Sequence, residues 1–283
     1  MKVLRTASEV RGWRADQHGV GLVPTMGALH EGHLSHIERA RGENDAVIAS
    51  IFVNPTQFGP NEDFRSYPRS EEADLALLAA HGCAAVFVPS LEEMYPPGDQ
   101  TRVTPGAIAV PLEGAARPGH FVGVATVVVK LLGIVHPDVA YLGQKDFQQL
   151  RVIQTVVRDL ALGVRIAGGP TVREADGLAM SSRNAYLTPE QRRDALALSR
   201  GLFAARELWD QGVREPDRLT NAVRRQTDGP GIAIEYVSAA DPMTLAELHA
   251  PADRAVISLA ARVGNARLID NVLLGMDVSE LGD

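Results

Sequence analysis

One stretch of the chain decides the fold, and it reads Pro24-Thr25-Met26-Gly27-Ala28-Leu29-His30-Glu31-Gly32-His33. An apolar run at residues 20–23 precedes it, and a helix-like run at residues 34–41 follows it. A strand that ends in a glycine-containing turn and opens a helix leaves unpaired backbone N–H groups and the positive end of the helix dipole facing one concavity. The stretch therefore predicts an anion site in an α/β fold, with two imidazoles at its mouth.

Strand-like and helix-like runs alternate around this stretch. Apolar strand-like runs lie at residues 19–23, 46–53, 84–88, 139–142 and 164–167. Helix-like runs lie at residues 34–41, 71–81, 122–135 and 147–162. This is the βαβ rhythm of a parallel sheet, in which ligands bind at the carboxyl ends of the strands.

The pattern changes after about residue 175. Thr188-Pro189-Glu190-Gln191 combines an N-cap, a first-turn proline and a capping-box glutamine, which predicts a long helix to about residue 206. A second helix is predicted at residues 216–226, and three strands at 232–238, 254–262 and 267–274. We therefore expect an α/β domain over residues 1–175 and a smaller α+β domain over residues 176–283.

Composition narrows the class of protein. Of the 283 residues, 45% are hydrophobic and 22% charged, as in an ordinary globular enzyme, and the net charge of -7 argues against a general nucleic-acid binder. Residues 1–10 lack the apolar core of a secretory signal, and the apolar run at 121–135 is interrupted by Lys130 and is too short to span a membrane. We expect a cytoplasmic protein, with the single cysteine, Cys83, filling the core rather than reacting.

The pair His30 and His33 has three interpretations. Residues three apart share one face of a helix start, so both rings can address one phosphate or one metal. A zinc site would need a third protein ligand, and the spacing is not His-Glu-x-x-His. The rings could also simply cap the helix. Nucleotide phosphates are favoured, because imidazoles at a helix N-terminus suit charge that develops on a transferring phosphoryl group.

Two later clusters carry chemistry of the same kind. Gly143-Gln144-Lys145-Asp146 follows a strand-like run, and Lys145 is one of only three lysines in the chain. It is either a solvated loop cation or a point charge for phosphate. Met180-Ser181-Ser182-Arg183-Asn184 is either a flexible loop that closes on phosphates or an ordinary polar turn.

The order of these clusters resembles the pantothenate synthetase family, whose members carry a His-x-x-His signature on a Rossmann-like nucleotidyltransferase domain. A lone His-x-x-His is weak, but the resemblance extends over nearly the whole chain in six ordered blocks. These blocks are residues 24–33, 52–58, 67–69, 112–114 with 117–121, 143–149 and 173–184.

The resemblance implies condensation of (R)-pantoate with β-alanine, driven by cleavage of ATP to AMP and pyrophosphate with Mg²⁺, through a pantoyl adenylate. That is a ligase reaction of vitamin B5 and coenzyme A biosynthesis. The resemblance also implies a homodimer. The net charge and the short apolar run described above predict no nucleic-acid or membrane partner. The resemblance further implies a lid formed by the C-terminal domain, and we expect a hinge near residues 173–177.

The family motif assigns residues by position. His30, His33, Lys145 and Arg183 would be catalytic, with His33 as proton donor toward the leaving pyrophosphate. Gln57 and Gln149 would hold pantoate, Gln57 would also touch β-alanine, and Asp74 is a candidate for an outer Mg²⁺ or water contact. ATP would be bound by Met26, Gly27, Ala28, Leu29, His30, Glu31, Gly32, His33, Gly143, Gln144, Lys145, Asp146, Val172, Met180, Ser181, Ser182 and Arg183.

Two other functions stay open at this point. A nucleotidyltransferase of the same fold could adenylate a phosphate-bearing acceptor, but such an acceptor would call for cations where the amides of Gln57 and Gln149 stand. A nucleotide-sensing protein could use the same site without turnover.

Overall fold

A computed structural model describes residues 1–281 of the chain, which form two compact units. The first unit comprises Met1–Gly143 and Gln149–Gly169, and the second comprises Gln144–Gln148 and Pro170–Leu281. The predicted domain boundary at residue 175 stays a prediction. By contacts alone, the chain enters the second unit at Pro170.

The strands occur in chain order as β1 (Lys2–Leu4), β2 (Val20–Thr25), β3 (Ala46–Ile51), β4 (Ala85–Phe87), β5 (Val139–Gly143), β6 (Arg165–Gly169), β7 (Ile232–Ala240), β8 (Ala255–Val263) and β9 (Ala266–Leu274). The helices are α1 (Ala7–Ala15), α2 (Glu31–Glu43), α3 (Glu71–Ala80), α4 (Leu91–Met94), α5 (Glu113–Ala116), α6 (His120–Val135), α7 (Phe147–Asp159), α8 (Pro189–Asp210) and α9 (Pro216–Thr227). Short 3-10 turns lie at Pro55–Gln57, Ala107–Ala109, Gln144–Asp146, Ser182–Tyr186 and Val278–Leu281.

The first unit is built on a parallel sheet with strand order β1-β4-β3-β2-β5-β6. All six residues of β3 are buried, as expected for a central strand covered on both faces. The strand order reverses between β2 and β5, which end at Thr25 and Gly143 on the same edge of the sheet. In an open α/β sheet this reversal marks the ligand crevice.

The second unit carries an antiparallel sheet, β7-β8-β9, and helices α8 and α9. Its core joins one side of α8 and α9 to alternate residues of the sheet, among them Leu198, Leu202, Val223, Ile257 and Val272. The predicted parallel sheet and the smaller α+β part are therefore both confirmed. No helix within residues 1–281 combines the length and apolarity needed to cross a bilayer.

Helix α2 begins earlier than the pattern predicted. Its first residue is Glu31 rather than residue 34, because His30 occupies the N-cap and His33 the third helical position. The two histidines therefore belong to the cap itself, where the first backbone N–H groups of a helix lack partners within the helix.

Candidate active site

The turn between β2 and α2 holds a left-handed pair of residues. Gly27 has φ +78° and Ala28 has φ +50°. A Cβ on Gly27 would lie 2.8 Å from a carboxylate oxygen of Asp74, so both the backbone angle and the space demand glycine there. A left-handed alanine costs roughly 1–2 kcal/mol, so the turn needs bonds from elsewhere to hold it.

Asp74 of α3 supplies those bonds. Its Oδ2 accepts from Ala28 N at 2.9 Å and its Oδ1 accepts from Leu29 N at 2.8 Å. The residue is only 2% exposed. Both oxygens thus accept from backbone, so Asp74 anchors the turn. Its candidacy for an outer Mg²⁺ or water contact stays a prediction.

His30 and His33 cap α2 through their rings. His30 Nδ1 accepts from Gly32 N at 3.2 Å, and His33 Nδ1 accepts a longer bond from His30 N at 3.4 Å. The ring centroids are 4.1 Å apart. Since Nδ1 accepts in both rings, these bonds assign the proton of each neutral imidazole to Nε2. The capping interpretation and the phosphate interpretation are therefore compatible, because capping with Nδ1 makes Nε2 the donor.

A third histidine lies one turn further along α2. His36 is buried against Gly169 at the end of β6, where an added Cβ would lie 2.3 Å from its ring. Burial, followed by the nearby positive charge of Arg39, lowers the pKa of His36 to about 4. It therefore stays neutral at physiological pH and packs rather than binding an anion.

Gln57 ends the 3-10 turn that follows β3. Its Oε1 accepts from Asn54 Nδ2 at 3.0 Å, and its Nε2 lies 3.4 Å from Met26 Sδ in the β2–α2 turn. Asn54, which is buried, also donates to the backbone oxygen of Gly123 in α6. A Cβ on Gly123 would come within 2.3 Å of the backbone of the 3-10 turn. This glycine lets α6 press directly on the segment that carries Gln57.

A buried polar network holds the backbone of Gln57. His120 Nδ1 donates to Gln57 O at 2.8 Å, and His120 Nε2 accepts from Arg117 Nη1 at 3.0 Å. Arg117 also forms a bidentate pair with Glu62, with both bonds at 2.7 Å. Burial would raise the pKa of Glu62, but the bonds and charge of Arg117 outweigh it and lower the pKa to about 2. Burial and the Arg117 charge lower the pKa of His120 to about 4, so its neutral Nδ1–H form is the donor.

The turn at Gln144–Asp146 belongs to the second unit. Its carbonyls at Gln144 and Lys145 each accept from Asn271 Nδ2 of β9 at 2.9 Å. Lys145 Nζ lies 3.5 Å from Asp146 Oδ1, and the lysine side chain is 20% exposed. Lys145 therefore stands on an anchored turn and not on a freely solvated loop.

The segment at residues 180–184 is an ordered turn rather than a flexible loop. Met180 N donates to Val172 O at 3.0 Å. Ser181 is the N-cap of the 3-10 turn Ser182–Tyr186, and its Oγ accepts from Arg183 N at 3.3 Å. The predicted ATP contacts Val172, Met180, Ser181 and Arg183 thus lie on two segments joined backbone to backbone.

The hairpin that joins these segments is firmly bonded. Arg173 pairs with Asp270 of β9 through bonds of 2.7 and 3.0 Å and donates to Gly177 O. Asn184 donates to Glu174 Oε1 at 2.7 Å. These bonds hold the hairpin within the second unit, and the hinge expected near residues 173–177 stays a prediction.

Gln149 lies near the start of α7 and belongs to the first unit. It is partly buried, so it is not the solvated surface residue that its position on a helix alone would suggest. Gly143, the last residue of β5, is also partly buried.

Comparison with known proteins decides the family. A family model described as pantoate-beta-alanine ligase matches residues 2–273. The chain belongs to the pantoate-β-alanine ligase family. The resemblance drawn from six ordered blocks is thereby confirmed. The chain is accordingly a ligase that forms a carbon–nitrogen bond.

Individual members of the ligase family agree with this assignment. Pantothenate synthetase of Roseiflexus castenholzii is 56% identical over 276 residues, which cover 97% of this chain and 99% of that protein. The crystal structure of pantothenate synthetase from Thermus thermophilus matches with a TM-score of 0.92 at 48% identity and covers 96% of this chain and 99% of that one. Pantoate-β-alanine ligase of Francisella tularensis, crystallised with "Beta-gamma ATP" and β-alanine, matches with a TM-score of 0.79 at 37% identity over 99% of this chain and 100% of that one.

Several residues that organise this ligase site were not predicted from sequence. The role of Asp74 as turn anchor, the support of Gln57 by His120 and Arg117, and the bonds from Asn271 all join segments distant in the chain. Only the presence of Arg117 and His120 within a block shared with the family could have drawn attention to that pair.

Proposed function

We propose that the chain condenses (R)-pantoate with β-alanine to give pantothenate, AMP and pyrophosphate, with ATP as the co-substrate. Family membership supports the overall reaction, and the ATP and β-alanine named for the Francisella tularensis ligase support these two substrates. The observation that carries the proposal is the His30–His33 pair, whose rings lie in contact at the positive end of α2. A helix N-terminus with two ring donors suits a phosphoryl group that gains charge during transfer.

The reaction proceeds in two steps through a pantoyl adenylate. A carboxylate oxygen of pantoate attacks the α-phosphorus of ATP, the bond from that phosphorus to the oxygen that bridges it to the β-phosphorus breaks, and pyrophosphate leaves. The amine nitrogen of β-alanine then attacks the acyl carbon, the carbon–nitrogen bond forms as AMP leaves, and the amine gives up a proton. Adenylation is needed because a free carboxylate is a poor acceptor for an amine.

In this proposal the phosphates of ATP are bound by His30, His33, Lys145 and Arg183. His33 donates from Nε2–H toward the leaving pyrophosphate, since its Nδ1 is directed at the cap of α2. Lys145 and Arg183 neutralise the triphosphate together with Ser181 and Ser182. Cations and N–H donors lower the cost of bringing a carboxylate to an already negative phosphorus.

The remaining assignments follow the family motif. Gly143, Asp146 and Val172 contact the ribose and adenine. Gln57 and Gln149 hold pantoate, and Gln57 also touches β-alanine. Neutral amides can orient hydroxyls and a carboxylate without a fixed charge that would stabilise the ground state of the nucleophile.

Mg²⁺ accompanies ATP in this proposal. No group of three or more His, Cys, Asp or Glu side chains within residues 1–281 is arranged to hold a metal ion, and both oxygens of Asp74 accept from backbone. Mg²⁺ commonly keeps several waters and binds substrate phosphates, so the triphosphate would hold it and its charge would offset that of the phosphates.

Three further assignments stay predictions. Residues 1–175 bind ATP and pantoate, whereas residues 176–283 act as a lid that excludes water from the adenylate. The protein acts in the cytoplasm. It acts as a homodimer.

Pyrophosphate release tests the proposal. With ATP, Mg²⁺ and D-pantoate we expect adenylate formation, and sustained release only when β-alanine is added. His33→Ala should reduce the adenylation rate at least about tenfold while changing pantoate affinity, measured by calorimetry, far less. His33→Gln is the matched control for folding, because glutamine is a normal capping-box residue at this position and can donate a hydrogen bond but cannot transfer a proton as imidazole does.

The outcomes separate the alternatives. Absence of pyrophosphate release by the parent protein would reject the ligase reaction. An equal adenylation rate in parent and His33→Gln, with equal thermal unfolding, would reduce His33 to a helix cap and remove its chemical role.

A further inference from the structure

The side chain of Asn271 in β9 makes three hydrogen bonds to the Gln144–Asp146 turn. Its two N–H donors reach Gln144 O and Lys145 O, both at 2.9 Å, and its Oδ1 accepts from Gln144 Nε2 at 3.2 Å. An asparagine amide has two donors and one carbonyl, so all the hydrogen-bonding groups of this buried side chain are directed at the turn. Packing alone would not require such an arrangement.

The preceding residue of the strand makes a matching attachment. Asp270 Oδ1 and Oδ2 accept from Arg173, and Oδ1 also accepts from Asn271 N at 2.8 Å. Successive side chains of a strand point to opposite faces of the sheet. Two adjacent residues of β9 therefore hold two different segments, the Gln144–Asp146 turn and the hairpin that leads to Met180 and Arg183.

We propose that Asn271 is a positioning residue for adenylation, which fixes the backbone beneath Lys145 so that this side chain meets the phosphates of ATP. This inference rests on the proposed function, because it takes the ATP role of Lys145 as given. Asn271 touches no substrate in it. Its effect on ATP passes through two backbone carbonyls of the turn.

The first test is Asn271→Ala, measured as adenylation with ATP and D-pantoate at saturating Mg²⁺. The variant loses all three bonds of the Asn271 side chain, of which the two to backbone carbonyls bear on the position of Lys145. Loss of these two bonds, at ordinary strength, predicts a fall of roughly 30-fold in kcat/KM for ATP. The KM for pantoate should stay within about twofold of the parent value, in keeping with the free-energy differences that distant sites show. An equal rise in the KM for ATP and the KM for pantoate would overturn the proposal.

A double-mutant cycle separates positioning from general destabilisation. If Asn271 acts through Lys145, Asn271→Ala has little further effect once Lys145→Ala is present. If it only stabilises the fold, the two losses multiply, and the proposal is wrong. A Lys145→Ala variant with parental adenylation would instead remove Lys145 from the proposed function, and the inference would fail with it.

Two further variants control for general destabilisation and for failure of Asn271→Ala to fold. Asn44→Ala is the matched control, because Asn44 Nδ2 also donates two bonds, to Ala40 O and Tyr141 Oη, but at the far end of α2. It should lower thermal stability without raising the KM for ATP. If Asn271→Ala does not fold, Asn271→Ser keeps a small polar side chain in the strand and should show the same selective loss toward ATP; a parental KM for ATP in this folded variant would overturn the proposal.

Discussion

Replacing Asp74 by asparagine tests how the β2–α2 turn is held. The carboxylate accepts from Ala28 N and Leu29 N at 2.9 and 2.8 Å and is almost fully buried. Asparagine keeps one acceptor and sets an N–H donor against the other backbone N–H. One charge-assisted bond is lost, which costs roughly 1.5–3 kcal/mol. With a shift of about 2–4 °C per kcal/mol, the thermal unfolding midpoint should fall by roughly 3–12 °C.

The assay is thermal unfolding without nucleotide or Mg²⁺, followed by the KM for ATP. The KM should rise about tenfold, because the turn that presents N–H groups to the phosphates relaxes, and tenfold corresponds to about 1.4 kcal/mol. Glu72→Gln is the control, since Glu72 is an exposed carboxylate in the same first turn of α3 and should cost no more than about 1 kcal/mol. An Asp74→Asn variant with parental stability but an altered Mg²⁺ requirement would refute the anchoring role and support the outer Mg²⁺ contact.

Three other outcomes follow from the structure. Burial lowers the pKa of both His36 and His120 from 6.5 to about 4, so their protonation opposes folding. The free energy of unfolding should therefore be at its full value above pH 6.5 and fall by about 3 kcal/mol per histidine between pH 6.5 and 4. A flat unfolding midpoint over that range would contradict this, and His36→Gln should make the slope shallower. Gly123→Ala should destabilise the protein by about 1–3 kcal/mol and raise the KM for pantoate, because its Cβ would meet backbone at 2.3 Å. The control is Gly133→Ala in the same helix: its Cβ would meet nothing within 4 Å, and it should stabilise the protein by about 0.5–1 kcal/mol. Burial raises the pKa of Cys83 to about 11, so a thiol reagent at about pH 8 should label it only after denaturation; rapid labelling of the folded protein would show an accessible thiolate.

The central part of the fold was predictable because its strands are long and buried. β3 and its neighbour β2 read as apolar runs flanked by turn residues, and Thr188 and Pro189 indicate the start of helix α8. Strand β1 was missed, since three residues carry no measurable period and its middle residue is exposed. Helix α1 was also missed, although the capping box that Thr6 forms with the helix was present in the sequence.

The candidate site was also predictable only in part. Residue type and location beside a strand end were enough to select His30, His33 and Lys145. Their supports were not predictable, because Asp74 lies 46 residues from Ala28 along the chain and no local spacing relates such pairs. Asp74 shows the limit of residue type, since only its burial and its bonds to Ala28 N and Leu29 N reveal that it anchors the turn.

Strand β9 also sets when the site can exist during synthesis. Lys145 emerges from the ribosome 126 residues before Asn271, which holds its carbonyl. At about 5–20 residues per second, that interval lasts roughly 6–25 s. Throughout it, the strands of the parallel sheet are complete or nearly so while the turn after β5 has no anchor. A chain broken off before residue 271 thus has its histidine pair but lacks the anchor beneath Lys145. Under the role proposed for that lysine, full adenylation activity arrives only with β9.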